Sequence, residues 1–163
     1  AGEYPWGDTT INAFYSTTVV NPLQPTEAAN AVVNGRCAVA LGSANPGYGP
    51  LKVGVFATST SGRSSAGASY YGAMEMGGNV VERTITVANA SGVAFNGTLG
   101  DGTLTAIGNA NQATWPSIST ATGVGQRGGE YVSPASYART SDRTVAGSTD
   151  ATRQYTYGGR GVR

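Results

Sequence analysis

Gly72-Ala73-Met74-Glu75-Met76-Gly77-Gly78-Asn79-Val80-Val81-Glu82-Arg83 is the stretch that orders the reading of this chain. It places a carboxylate, an amide and a second carboxylate on a glycine-softened turn. A β-branched run follows directly. Oxygen donors at this spacing suit a hard cation such as calcium, which takes carboxylate, amide and backbone carbonyl oxygens.

The composition around this run limits the function classes. At 163 residues the chain has the length of one domain,. A net charge of +1 gives no basic field for nucleic acid and no acidic tail,. Only 12% of residues are charged, and Lys52 is the sole lysine against nine arginines, whose rigid guanidinium forks suit fixed hydrogen-bonding tasks,. Glycine, alanine, serine and threonine dominate, a polar but uncharged composition that points to an extracellular or cell-surface protein. Cys37 is the lone cysteine, so no intrachain disulfide forms, and it reads as a small buried hydrophobe,. No apolar stretch reaches the length of a membrane span,. Asn89-Ala90-Ser91 and Asn96-Gly97-Thr98 are acceptor sequons for N-linked glycans,. The sequence opens at Ala1-Gly2-Glu3-Tyr4-Pro5-Trp6 without a basic-then-apolar leader, which reads as a mature or truncated start,.

Helical periodicity is weak. One helix is expected over Thr26 to Val33, with Thr26 as N-cap, Glu27 in the first turn and Asn34-Gly35 as the stop,. Strands are expected at Lys52 to Ala57, Asn79 to Ala88, Glu130 to Val132 and Arg160 to Arg163,. Gly/Ser/Asn-rich connections fill residues 42–50, 58–69, 96–108 and 120–129,. Loops this long are functional or tied down by side chains or metal.

Five segments in order carry a family resemblance. Tyr4-Pro5-Trp6-Gly7-Asp8 resembles a "PWG" segment, and Val53-Gly54-Val55-Phe56 a "VGsF" strand. Residues 71–83 resemble "YGLYDMAGNVWEW", Arg127-Gly128-Gly129-Glu130-Tyr131 resembles "RGGSW", and Ser141-Asp142-Arg143 with Gly159-Arg160-Gly161-Val162-Arg163 the closing "R" and "GFR" elements. Together they are similar to the formylglycine-generating enzyme (sulfatase-modifying factor) family. The resemblance implies an α+β chain: an irregular, loop-rich C-type-lectin-like fold with short strands and one or two short helices. It implies a single domain over 1–163 that lacks the family's N-terminal portion.

The resemblance also implies a calcium site. Asn79 and Glu82 would supply side-chain oxygens, and carbonyls at Gly77 and Val80 would complete the shell. The alternative is that Asn79 and Glu82 only cap backbone groups in a tight turn. A second family calcium site would fall on Ala38 and Asn45, having lost a ligand and a charge.

The oxidising members of that family hold copper with two cysteines after "RGG", because monovalent copper requires soft thiolates. The corresponding positions here are Ser133 and Ala138. Iron-dependent relatives use histidines, and this chain has none. Neither copper nor iron chemistry is therefore expected, nor an organic cofactor, nor catalysis that depends on histidine. Carboxylates remain, and Glu75, Glu82, Glu130 and Asp142 fall within the motifs. An acid–base pair among them, as in a hydrolase, is the least favoured reading.

The leading expectation is a non-catalytic extracellular structural or self-assembly module, a surface-layer or filament subunit. Its partners would be further copies of itself or a neighbouring surface protein, pairing at an exposed strand near Arg160 to Arg163. The alternative is a lectin-like glycan- or protein-binding module. Its binding face would lie between Asn89 and Thr122, with Phe95 and Trp115 stacking on the ligand and Glu130 as a further contact. Tyrosines at 70, 71, 131, 137, 155 and 157 would serve an interface or a layered core.

Overall fold

Val81, Thr84 and Ile85 make residues 81–85 favourable for extended backbone. In the computed structural model this run forms the longest strand among the described residues, which are 2–13, 19–40, 49–98, 100–106, 111–116 and 119–158. In chain order the elements are β1 (Asn12–Ala13), β2 (Val19–Val20), β3 (Ala28–Ala29), β4 (Arg36–Cys37) and β5 (Val81–Ile85). Then come α1 (Ala90–Val93), β6 (Val124–Arg127), a 3-10 turn (Ala135–Ala138) and β7 (Tyr157–Gly158). β1 pairs parallel with β4, and β2 pairs antiparallel with β3. The third sheet has the order β6-β5-β7, with Val81 opposite Tyr157 and Glu82 opposite Gly158 in a parallel register. This is a small α+β protein with few short strands, little helix and mixed sheets.

The chain divides into two compact units. One comprises Ala1–Glu82, Arg127–Asp142 and Tyr155–Arg163, and the other Arg83–Gln126 and Arg143–Gln154. The core of the first unit is built on the alternation of residues 37–40. Cys37 and Val39 join Tyr4, Trp6 and Ala138 in one buried cluster, and Ala38 joins Val19, Leu51, Val55, Phe56 and Tyr131 in another. Tyr4 and Trp6 stack at 4.9 Å between ring centroids. In the second unit α1 starts at Asn89, whose side chain accepts from the Ser91 N–H at 2.8 Å. A Cβ at Gly92 would collide with the Thr86 carbonyl oxygen, so only glycine lets this helix approach,.

Three expected elements do not form. Residues 26–33 are not helical: Ala28–Ala29 is strand β3. Eight residues are too few to hold a helix without tertiary support. Here the tertiary bonds favour extended chain instead. The Ala29 N–H donates to the Val55 carbonyl at 3.3 Å. The buried Glu27 carboxylate accepts from the Leu23 N–H and from the Lys52 N–H, each at 2.7 Å. Thr26 receives the Asn21 side-chain amide at 3.2 Å.

Residues 52–57 form turns rather than a strand. The Val55 N–H bonds the Lys52 carbonyl, the Ala57 N–H bonds the Gly54 carbonyl, and Gly54 has φ +77°. Val55 and Phe56 are both buried, so this stretch shows no alternation of buried and exposed residues,.

Residues 130–132 also turn, with the Ser133 N–H on the Glu130 carbonyl at 2.9 Å. The nearby strand is β6, inside the stretch read as a connection over 120–129. The strand expected at Asn79 to Ala88 shortens to Val81–Ile85. The one expected at Arg160 to Arg163 lies outside the described residues.

Glu27→Gln replaces a carboxylate oxygen with an amide donor facing a backbone N–H. The variant is expected to lose about 1–3 kcal/mol of stability. The check is a urea unfolding curve whose midpoint falls while its slope stays unchanged.

Candidate functional site

Gly77, Gly78 and Asn79 thread through the first unit with almost no side-chain volume, and they are buried. Gly78 has φ +77°, and a Cβ there would meet the Ala38 carbonyl oxygen and stand 2.7 Å from the Cys37 Sγ. The segment is bonded on every side. The Gly78 N–H donates to the Gly128 carbonyl at 2.6 Å and the Asn79 N–H to the Ala38 carbonyl at 2.8 Å. The Tyr131 N–H donates to the Asn79 carbonyl at 2.9 Å, and the Cys37 thiol to the Gly77 carbonyl at 3.0 Å.

Asn79 itself sits at φ +68°, a left-handed conformation that asparagine tolerates better than most residues,. Its side chain reads both polar groups of Leu51. Oδ1 accepts the Leu51 N–H at 2.7 Å, and Nδ2 donates to the Leu51 carbonyl at 3.0 Å. Three of the sequence motifs therefore meet here: the 77–79 turn, the Arg127-Gly128-Gly129 loop and, with Pro5 Cδ 3.5 Å from where a Gly77 Cβ would sit, the Pro5-Trp6 segment.

Of the four expected calcium donors, the Asn79 Oδ1 and the Gly77 carbonyl already accept protein hydrogen bonds. Glu82 is half-buried on β5, with Oε2 2.5 Å from the position a Gly128 Cβ would take. Val80 is half-buried beside Gly158. Among the described residues no group of three or more Cys, Asp and Glu side chains gathers as a metal would need. This geometry favours the turn-holding role for Asn79. Of the second expected site, Ala38 is fully buried in the core and Asn45 lies outside the described residues.

The Ser133 carbonyl accepts the Ala40 N–H at 2.9 Å, and Ala138 packs in the Tyr4–Trp6 cluster. Burial, with Glu75 adding negative potential beside it, pushes the Cys37 thiol well above the ordinary cysteine range,. Glu75 is buried at φ +60°. Glu130 is half-buried, with a buried Oε2 that makes no hydrogen bond among the described residues. Burial raises the Tyr131 phenol, with Tyr155 and Glu130 contributing. The Asp142 N–H bonds the Arg139 carbonyl at 3.1 Å.

In the second unit Phe95 and Trp115 meet edge to face at 6.4 Å, and the Trp115 indole N–H donates to the Thr98 carbonyl at 2.9 Å. Trp115 remains 40% exposed. Asn89 caps α1, whereas Asn96 is exposed.

The sequence reading missed the clamp around the Pro5-Trp6 segment. The Asp8 Oδ1 accepts the Thr10 N–H at 2.8 Å and the Trp6 indole N–H at 3.2 Å, and its Oδ2 accepts the Ser64 hydroxyl at 3.0 Å. Arg63 donates to the Pro5 carbonyl at 3.0 Å and lies 5.7 Å from the centre of the Tyr70 ring. An aspartate two residues before a threonine is a local turn signal that marks Asp8. Nothing in the sequence links it to Ser64.

No protein-family model, curated protein or solved structure matches the chain.

Asn79→Asp keeps the shape but sets a carboxylate oxygen against the Leu51 carbonyl. It is expected to destabilise the fold by about 1–3 kcal/mol. Thermal unfolding with calcium and with a chelator should show the same deficit, and a deficit that calcium relieves would place a metal at residue 79. The Cys37 thiol should resist a thiol reagent in native buffer and react at once in urea, which a labelling time course reads directly.

Proposed function

We propose that this chain is a non-catalytic extracellular structural or self-assembly module, a surface-layer or filament subunit on a C-type-lectin-like fold of the formylglycine-generating-enzyme type. What supports the fold reading is the meeting of the Pro5-Trp6, Gly77–Asn79 and Arg127–Gly129 segments within one unit. What supports a non-catalytic role is that Ala138 is packed in the core and that the Cys37 thiol is buried and donates to the Gly77 carbonyl.

The observation that carries self-assembly is a fixed turn bearing two tyrosines. Tyr70 is 77% exposed and Tyr71 92% exposed, with their rings edge to face at 5.1 Å. The turn beneath them is ordered. The Ser69 N–H bonds the Ala73 carbonyl at 2.8 Å, and the Gly72 N–H bonds the Ser69 carbonyl at 3.0 Å. Rigid aromatic side chains offer large contact area at low entropy cost, which is why interfaces enrich them. An uncharged Gly/Ala/Ser/Thr-rich composition suits such a surface module.

Sedimentation velocity over a range of concentrations, with electron microscopy of the concentrated sample, tests the proposal. Ordered particles are expected to grow with concentration. A Tyr70→Ser/Tyr71→Ser double variant should stay folded and lose them. A monodisperse monomer at high concentration refutes the reading.

A further inference from the structure

The chain contains two Asn-Gly pairs, Asn34-Gly35 and Asn96-Gly97. An asparagine followed by glycine is open to an internal attack, because glycine has no side chain to hinder its own amide nitrogen. That nitrogen gives up its proton to solvent base and bonds to the asparagine Cγ. The side-chain nitrogen leaves as ammonia, having taken a proton from water, and a five-membered succinimide closes. Water then opens the ring at either carbonyl to give aspartate or isoaspartate. The net exchange is one water taken up for one ammonia released, with no oxidant or enzyme.

The two pairs differ in how far the fold lets the nucleophile move. The Gly35 N–H is held by the Ser64 carbonyl at 2.9 Å, and the Gly35 carbonyl accepts the Asn12 N–H at 2.8 Å. The Asn34 carbonyl takes the Asn12 side-chain amide at 2.6 Å. Gly35 is buried at φ +75°, with the Thr10 carbonyl oxygen where a Cβ would stand. This peptide unit cannot turn toward its neighbour's side chain without breaking the hydrogen bonds of the Asn34 carbonyl and the Gly35 N–H.

Gly97 is exposed, a Cβ there would meet nothing within 4 Å, and its N–H makes no hydrogen bond among the described residues. Asn96 is also primed on the electrophilic side. Its Oδ1, the atom that gathers negative charge when Cγ is attacked, accepts the Thr98 N–H at 3.1 Å and the Thr114 hydroxyl at 3.3 Å. Two donors aimed at a developing oxyanion lower the barrier to its formation.

We propose that Asn96-Gly97 is a self-modifying site that converts through a succinimide to aspartate and isoaspartate, while the fold protects Asn34-Gly35. The isoaspartyl product inserts a methylene into the backbone two residues before Thr98, whose carbonyl anchors the Trp115 indole. A glycan on the Asn96 side-chain nitrogen would block the reaction, so the test uses protein made in a host that does not glycosylate.

The full chain is incubated in native buffer and in urea, and the two asparagines are followed by peptide mass mapping with fragmentation. In native buffer Asn96 is expected to convert about tenfold or more faster than Asn34, the factor set by an opening cost of about 1.4 kcal/mol at the locked pair. In urea the two rates should converge. Thr114→Val should slow Asn96 in native buffer and leave Asn34 unchanged. Equal native rates, or a difference that persists in urea, would overturn the proposal. An unchanged Asn96 rate in the Thr114 variant would overturn the oxyanion argument.

Discussion

The amide of Asn79 facing the backbone of Leu51 is the interaction on which the first unit depends. Leu51 is buried, and neither helix nor ladder supplies partners for its N–H and carbonyl. A buried peptide group left without a partner costs more than most single packing contacts return. Only an amide side chain carries an acceptor and a donor side by side in the arrangement a peptide group requires. The position also demands a left-handed backbone, which asparagine accepts and longer side chains resist,. Aspartate meets the conformational demand without the donor. Glycine meets it without any side chain. Two independent constraints therefore converge on one residue type.

The same solution recurs wherever regular structure is absent. Glu27 closes the backbone of two loops with its two oxygens, Asp8 ties three donors around Trp6, and Arg127 donates to the Thr140 carbonyl at 2.7 Å. These side-chain-to-backbone bonds do the work that ladders do in a conventional sheet protein. They also explain why so few charges suffice. Glu27 and Asp8 each carry two or more hydrogen bonds at fixed positions, and the small residues between them let the segments approach. Gly77 and Gly78 are the clearest case, since the backbone there passes within contact of Ala38, Cys37 and Ala138.

This economy sets what the sequence reveals. The β-branched run at 81–85 was legible because strand propensity and burial agree there, with Val81 in the core and Ile85 at the surface. The turn at 77–79 was legible from its glycines and asparagine. Its partner Leu51 was not, because no local pattern encodes a bond across 28 residues. Residues 26–33 misled for a related reason. Thr26, Glu27 and Asn34-Gly35 have the form of helix caps, yet Glu27 faces inward to hold Leu23 and Lys52. Tertiary hydrogen bonds overrode a weak local preference. Val53, Val55 and Phe56 misled by composition alone, since Gly54 at positive φ turns the chain where alternation suggested a strand. The placement of Ala138 in a packing role required coordinates, because only space shows that the Tyr4–Trp6 cluster reaches Ala138.

The tyrosine turn takes its rigidity from the same network. Tyr70 lies under the Arg63 guanidinium, and the same group is fixed by donating to the Pro5 carbonyl. The Ala68 N–H bonds the Arg63 carbonyl at 2.9 Å, so the base of the turn is tied to the residue that covers its ring. On the other side the chain runs through Met74, packed near Gly54, into buried Glu75 and the 77–79 crossing. An exposed aromatic pair on a loose loop would lose its contact area to conformational entropy before it met a partner. Held from both sides, Tyr70 and Tyr71 arrive already ordered. The side chains that settle the interior of this unit are thus what hold its aromatic surface in place, and that order is what supports the proposed assembly contact.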